Sequence, residues 1–191
     1  MGQGAVSRLH DAIAAIDAAN RHDPDQREGR PAALLYGERM TAELLRLFPD
    51  ASEPLQIAAR GQHIERWILS RQDFPEGRAG YLAWRTELAA HHAARVGAIM
   101  ADAGYGAEDI ARADRMIRKE GIKRDADVQA LEDVICFTFL RWYFAPFAPT
   151  QDPAKLEKIV ARTARKMSPE GRARVLDEFD LPESFAEAFR F

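Results

Sequence analysis

The sequence predicts an all-α protein, a compact multi-helix bundle, and three observations carry that expectation. Apolar residues recur at three- and four-residue spacing almost throughout. Alternating β-branched runs separated by tight hairpin turns do not occur. The breaks between periodic stretches coincide with helix caps, prolines and glycines. The chain has 191 residues and is 47% hydrophobic, enough for a core without disulfides or a structural metal. It reads as one helical domain over 1–191, with the more polar residues 150–191 forming satellite helices packed on the main bundle.

Taken in order, helices are expected over 4–21, 31–48, 53–70, 79–103, 107–120, 126–146, 153–167, 169–178 and 183–190. The second carries the column Leu34, Glu38 and Leu45. The third follows Ser52 as its N-cap and shows the stripe Ile57, Gly61, Ile64 and Ile68. Pro75, Gly77 and Gly80 make the segment before the fourth helix a loop. The fourth has its apolar stripe through Leu88, His92, Val96 and Ile99, and Gly104, Gly106 and Gly121 fit helix ends. The helix over 126–146 is apolar nearly all round, which makes it the central one. Asp152 before Pro153 and Ser168 before Pro169 each read as a cap followed by proline in the first turn.

Composition excludes several partners. Basic and acidic side chains number 27 and 30, a net charge of −3, so no global field recruits nucleic acid or an anionic membrane. The single cysteine, Cys136, excludes an intramolecular disulfide and suits a reducing compartment. The longest apolar run, near Ile135 to Phe147, is interrupted by Thr138 and Arg141 and is too short to span a bilayer. The N-terminus shows no signal-peptide stretch, so the expected location is cytoplasmic.

The candidate chemistry lies in the middle third. Glu132 and Asp133 sit on the apolar 126–146 helix, and Glu38 on an apolar column. An unpaired buried carboxylate is costly, so each needs a cation, a hydrogen bond or a metal. His92 looks inward, with His91 beside it on the polar side. Arg60, His63, Arg66 and Trp67 fall at i, i+3, i+6 and i+7 of the third helix and form one strip. Guanidinium forks flanking a histidine suit an anion such as phosphate or carboxylate. The plainer readings are a structural ion pair for each carboxylate, a hydrogen-bonded core histidine for His92, and a solvated face for Arg60 and Arg66.

At Gln62-His63-Ile64-Glu65-Arg66-Trp67, Gly80-Tyr81-Leu82-Ala83-Trp84-Arg85, His92-Ala93 and Gln129-Ala130-Leu131-Glu132-Asp133-Val134, the chain resembles the domain of unknown function 4202 family. Ile16-Asp17-Ala18-Ala19-Asn20 with Asp23-Pro24 extends the likeness toward the N-terminus. That resemblance implies no activity. A looser similarity is to the HD-type metal-dependent phosphohydrolases, which draw a His, a His-Asp pair and a distant Asp from successive helices. There His63 stands for the histidine of the pair, His92 for a later ligand, and Asp133 or Glu132 for the distal carboxylate. Ile64 occupies the place of the pair's aspartate, and the second helix offers Glu38 in place of the first histidine. Lys166-Met167-Ser168 echoes part of a class I synthetase signature, but no strand–helix alternation accompanies it.

These readings combine into one expectation, an HD-like divalent-metal-dependent hydrolase acting on a phosphorylated small molecule or nucleotide. His63, His92 and Asp133 would hold Zn, Mn or Fe. Glu132 or Glu38 would serve as a further ligand or as the base, and Arg60, Arg66 and Lys119 would receive the anionic substrate. Two alternatives stand beside it: a redox reaction at iron in the same cage, and a non-catalytic helical interaction module with a buried polar network, using the Arg60/Arg66/Trp67 strip.

Overall fold

The computed structural model describes residues 3–191, with side chains from Arg8 onward. Its regular structure is nearly all helical: α1 (Gln3–Asn20), α2 (Ala32–Leu47), α3 (Glu53–Arg60), α4 (Gly77–Asp102), α5 (Ala107–Arg118), α6 (Ala126–Thr138), α7 (Phe144–Phe147), α8 (Pro153–Lys166), α9 (Pro169–Glu178) and α10 (Glu183–Ala186). The chain divides into two compact units, Met1–Glu120 and Gly121–Phe191. Residues 150–191, expected as satellite helices, lie within the second unit.

In the first unit, α3 packs on α1, α2 and α5, and α4 packs along α5 and α1. Ile16, Met40, Leu44, Ile57, Ile64, Leu88, Met100 and Met116 form its buried apolar core. An antiparallel hairpin of two-residue strands, β1 (Gln26–Arg27) and β2 (Arg30–Pro31), precedes α2. Its turn residues Glu28 and Gly29 both have positive φ, which suits the twist of a two-residue hairpin loop. Asp23 closes this corner by accepting the Asp25 N–H at 2.9 Å and the Ala33 N–H at 2.7 Å. It is turn chemistry of the kind the Asp23-Pro24 pair suggests.

The helix expected over 53–70 is the main departure. It stops at Arg60, and the chain continues through a turn at Gly61–Glu65 and a 3₁₀ turn at Arg66–Ile68. Tertiary contacts override the apolar periodicity. A Cβ on Gly61 would lie 2.4 Å from Val96 Cγ2, so only glycine lets the backbone come this close to α4. Glu65 is left-handed at φ 51°, and its N–H donates to the buried Asn20 Oδ1 at 3.0 Å. Ser52 precedes α3 as expected, but its side chain makes no capping bond.

In the second unit, Asp125 caps α6 by accepting the Asp127 and Val128 N–H groups. Leu131, Val134 and Phe137 are buried, as an apolar helix requires. The helical path expected over 126–146 runs on to Phe147, but Phe139–Tyr143 within it is a π-helical turn. Pro146 follows it, and the proline ring crowds the carbonyl of Trp142. Asp152 and Ser168 cap α8 and α9 through the Lys155 and Gly171 N–H groups. Among the described residues, no helix is long and apolar enough to cross a membrane.

Candidate anion site

A cavity of about 290 Å³ opens in the first unit between three pieces of chain. Gln62, His63 and Arg66 come from the turn after α3. Leu82, Arg85, Thr86, Ala89 and His92 come from one face of α4, at helical spacing. Ile117 to Glu120 come from the end of α5. Lys119 ends α5 in the left-handed region at φ 62°, turning the chain at the cavity's edge.

The turn carrying His63 is fixed from several sides. The ring of His92 bonds the Ile64 carbonyl through Nδ1 at 2.7 Å, and Asn20 holds the next N–H. The Glu65 carboxylate, directed away from the helix path by its left-handed backbone, accepts from Arg95 Nε at 3.0 Å and lies 3.7 Å from His91 Nε2. His63 itself stacks on Tyr36 with ring centroids 3.9 Å apart, and its centroid lies 6.1 Å from that of His92.

The lining leans positive, with Arg66, Arg85, Arg118 and Lys119 beside one acid, Glu120. Burial holds the His63 imidazole well below its usual pKa, and Arg66, His92, Arg85 and Lys119 push the same way. His92 is lowered to about 3, chiefly by burial, against the opposing hydrogen bond to Ile64. Both rings are neutral at pH 7. Burial also lowers the pKa of Arg66, with Arg85 as the next cause. Arg66 lies over the Trp84 ring at 5.0 Å, and neither it nor Arg85 has a carboxylate partner among the described residues. Most other arginines of this unit behave differently: Arg8, Arg30, Arg39, Arg46, Arg60, Arg95 and Arg118 each meet an Asp or Glu.

The family described as Domain of unknown function (DUF4202) matches residues 10–188. The chain belongs to that family. No curated protein and no solved structure matches it.

In this DUF4202 protein the residues singled out from sequence separate into two groups. His63, His92, Arg66 and Lys119 line one cavity. The others are occupied elsewhere. Arg60 forms a two-pronged pair with Asp17, Nε and Nη2 each donating at 2.7 Å, and Nη1 donates to Thr41 at 3.3 Å. Its guanidinium is held by partners within the fold, and the break at Gly61 turns Arg66 onto a different face. Glu38 accepts from Arg30 at 2.6 Å near the surface. Glu132 is 1% exposed and lies 3.6 Å from Lys166 Nζ.

Asp133 belongs to the second unit, where its carboxylate is fully engaged. Oδ1 accepts from the Ser168 N–H at 2.9 Å and Gln129 Nε2 at 3.0 Å, and Oδ2 accepts from the Ser168 hydroxyl at 2.5 Å. Gly171 packs on it so closely that a Cβ there would lie 3.0 Å from Oδ2. Burial raises the Asp133 pKa, and the Ser168 and Gln129 bonds oppose that rise. Among the described residues, no group of three or more His, Cys, Asp or Glu side chains could hold a metal ion. The cavity that does gather two histidines also gathers Arg66, Arg85 and Lys119, which repel a divalent cation. These residues do not fit the expected metal.

Sequence reading missed Arg85, Gln62 and Thr86. The signal was available for Arg85, since positions 85, 89 and 92 share a face of α4 with the inward His92. Gln62 could not be assigned in the same way, because its direction depends on the break at Gly61.

Proposed function

We propose that the cavity of the first unit recognises a small molecule through an anionic group, a phosphate or a carboxylate. One observation supports this reading above the others: Arg66 and Arg85 line the same cavity, and neither has a carboxylate partner among the described residues. Guanidinium groups brought together at a half-buried wall repel one another, so a ligand anion between them relieves that repulsion. Two neutral imidazoles beside them add polar contacts without competing for the anion.

The cavity volume of about 290 Å³ sits at the lower end for small-molecule sites. It corresponds to roughly ten waters at about 30 Å³ each, the size of a modest phosphorylated metabolite. Hydrolysis through a bound metal is not part of this reading, since four cationic side chains line the cavity against the single carboxylate of Glu120. The proposal is therefore a recognition site whose own groups bind and orient an anion.

Calorimetric titration with inorganic phosphate at low ionic strength tests it. Binding is expected, weakening as salt is raised. Arg66→Gln and Arg85→Gln should each weaken it by about tenfold, as loss of a charge-assisted hydrogen bond of about 1.5 kcal/mol or more requires. Undetectable binding, or affinity unchanged in both variants, would remove the assignment.

A further inference from the structure

Two residues that line the cavity each carry a buried polar atom that no protein group satisfies among the described residues, His92 Nε2 and Gln62 Oε1. Their residues are 3% and 5% exposed. A buried polar group without a partner is costly, so each marks a place where a bound molecule gains by making the missing bond.

The chemistry at His92 is determined by its other nitrogen. Nδ1 lies 2.7 Å from the Ile64 carbonyl oxygen, and a carbonyl only accepts, so Nδ1 carries the proton and donates it. The ring is neutral, its pKa lowered to about 3, and a neutral imidazole carries one N–H. Nε2 is therefore a bare acceptor. Gln62 has no such fixed polarity, because half a turn of its amide exchanges oxygen for NH₂ and suits either kind of partner. His92 alone dictates that the ligand must donate. That donor is uncharged, since Arg66, Arg85 and Lys119 outnumber the one lining carboxylate, Glu120, and repel an ammonium as they repel a metal.

We infer that the ligand of this cavity is a hydroxylated anion, a polyol or sugar phosphate in chemical class, whose hydroxyl donates to His92 Nε2 while its phosphate meets Arg66 and Arg85. This rests on the anion reading above and adds the second recognition element.

The test compares three probes by calorimetry on the whole chain: inorganic phosphate, n-propyl phosphate and glycerol 3-phosphate. The two esters share a phosphate and a three-carbon chain and differ in hydroxyl groups. Glycerol 3-phosphate is expected to bind about five- to tenfold more tightly, the worth of one neutral hydrogen bond made in a dry site. In His92→Asn, the amide can still donate to the Ile64 carbonyl, but nothing occupies the position of Nε2. That variant should lose the preference between esters. If it fails to fold, nitrogen NMR of the unmodified protein decides: the His92 Nε2 resonance should move with glycerol 3-phosphate and not with propyl phosphate. Equal binding of the two esters, a preference surviving in His92→Asn, or an unmoved Nε2 resonance would overturn the hydroxyl inference while leaving the anion site intact. Failure of all three probes to bind would remove both.

Discussion

Arg60 and Arg66 are near neighbours in the chain and opposite in role. Arg60 is buried with Asp17 in a pair whose two short bonds fill both oxygens, and Thr41 takes a third N–H. Arg66 turns onto another face, over Trp84 and beside Arg85, with no carboxylate to meet it among the described residues. The difference teaches that an arginine's function is decided by what already satisfies it. A guanidinium completed inside the fold holds the fold together, whereas one left incomplete beside a like charge is available to something else.

The largest test of that contrast is Asp17→Ala. Removing one partner of a buried, doubly bonded pair leaves Arg60 uncompensated, and a loss of about 2–4 kcal/mol in denaturant unfolding is expected. Arg66→Gln should show no comparable loss, and its stability should hold or rise slightly because the repulsion with Arg85 is relieved. A large destabilisation by Arg66→Gln would erase the distinction.

Next in size is the pH dependence carried by the cavity. His63 and His92 titrate far lower in the folded protein than the usual value near 6.5, whereas the unfolded chain takes up protons around that value. Between the two, the unfolded state binds more protons. Stability should therefore be full above about pH 6.5 and fall as pH drops toward the folded pKa, about 3 for His92. The slope should approach about 1.4 kcal/mol per pH unit for each histidine. Urea unfolding at pH 7, 6 and 5 measures it, and His63→Gln should roughly halve the slope. A flat profile would mean the imidazoles are not held neutral by the cavity.

The smallest effect comes from a polar node complete within itself. Ser168→Ala removes the hydroxyl that caps α9 and donates to Asp133, and should cost about 1 kcal/mol. Phosphate binding should not change, because this group is already committed within the second unit. A loss of binding in Ser168→Ala would tie that node to the site.

Much of the fold was legible because helices announce themselves locally. The periodic stretches and the proline-bearing caps at Asp152 and Ser168 correspond to α8 and α9, and the apolar helix beginning at Ala126 is α6. The inward direction of His92 follows from its helical register, and Lys119 and Arg66 share its cavity. The failures have a common cause. The stripe Ile57, Gly61, Ile64, Ile68 is consistent with a continuous helix, and only the approach of Val96 to Gly61 and the grip of Asn20 on Glu65 break it. Once it breaks, the strip of Arg60, His63 and Arg66 no longer exists. The apolar surroundings of Asp133 in the sequence show a carboxylate in need of partners, but they cannot distinguish a metal from Ser168 and Gln129.

The sequence alone determined that this chain is helical, where most helices begin and end, and which polar side chains must be compensated, because those properties depend on neighbours within a few residues. The tertiary structure decided which partner compensates each one. Asp17 closes Arg60, Ser168 closes Asp133, and Ile64 sets the proton on His92, all through contacts between residues distant in sequence. That is why the candidate anion cavity emerges only in three dimensions: it is defined by the charges and lone pairs that folding left unanswered.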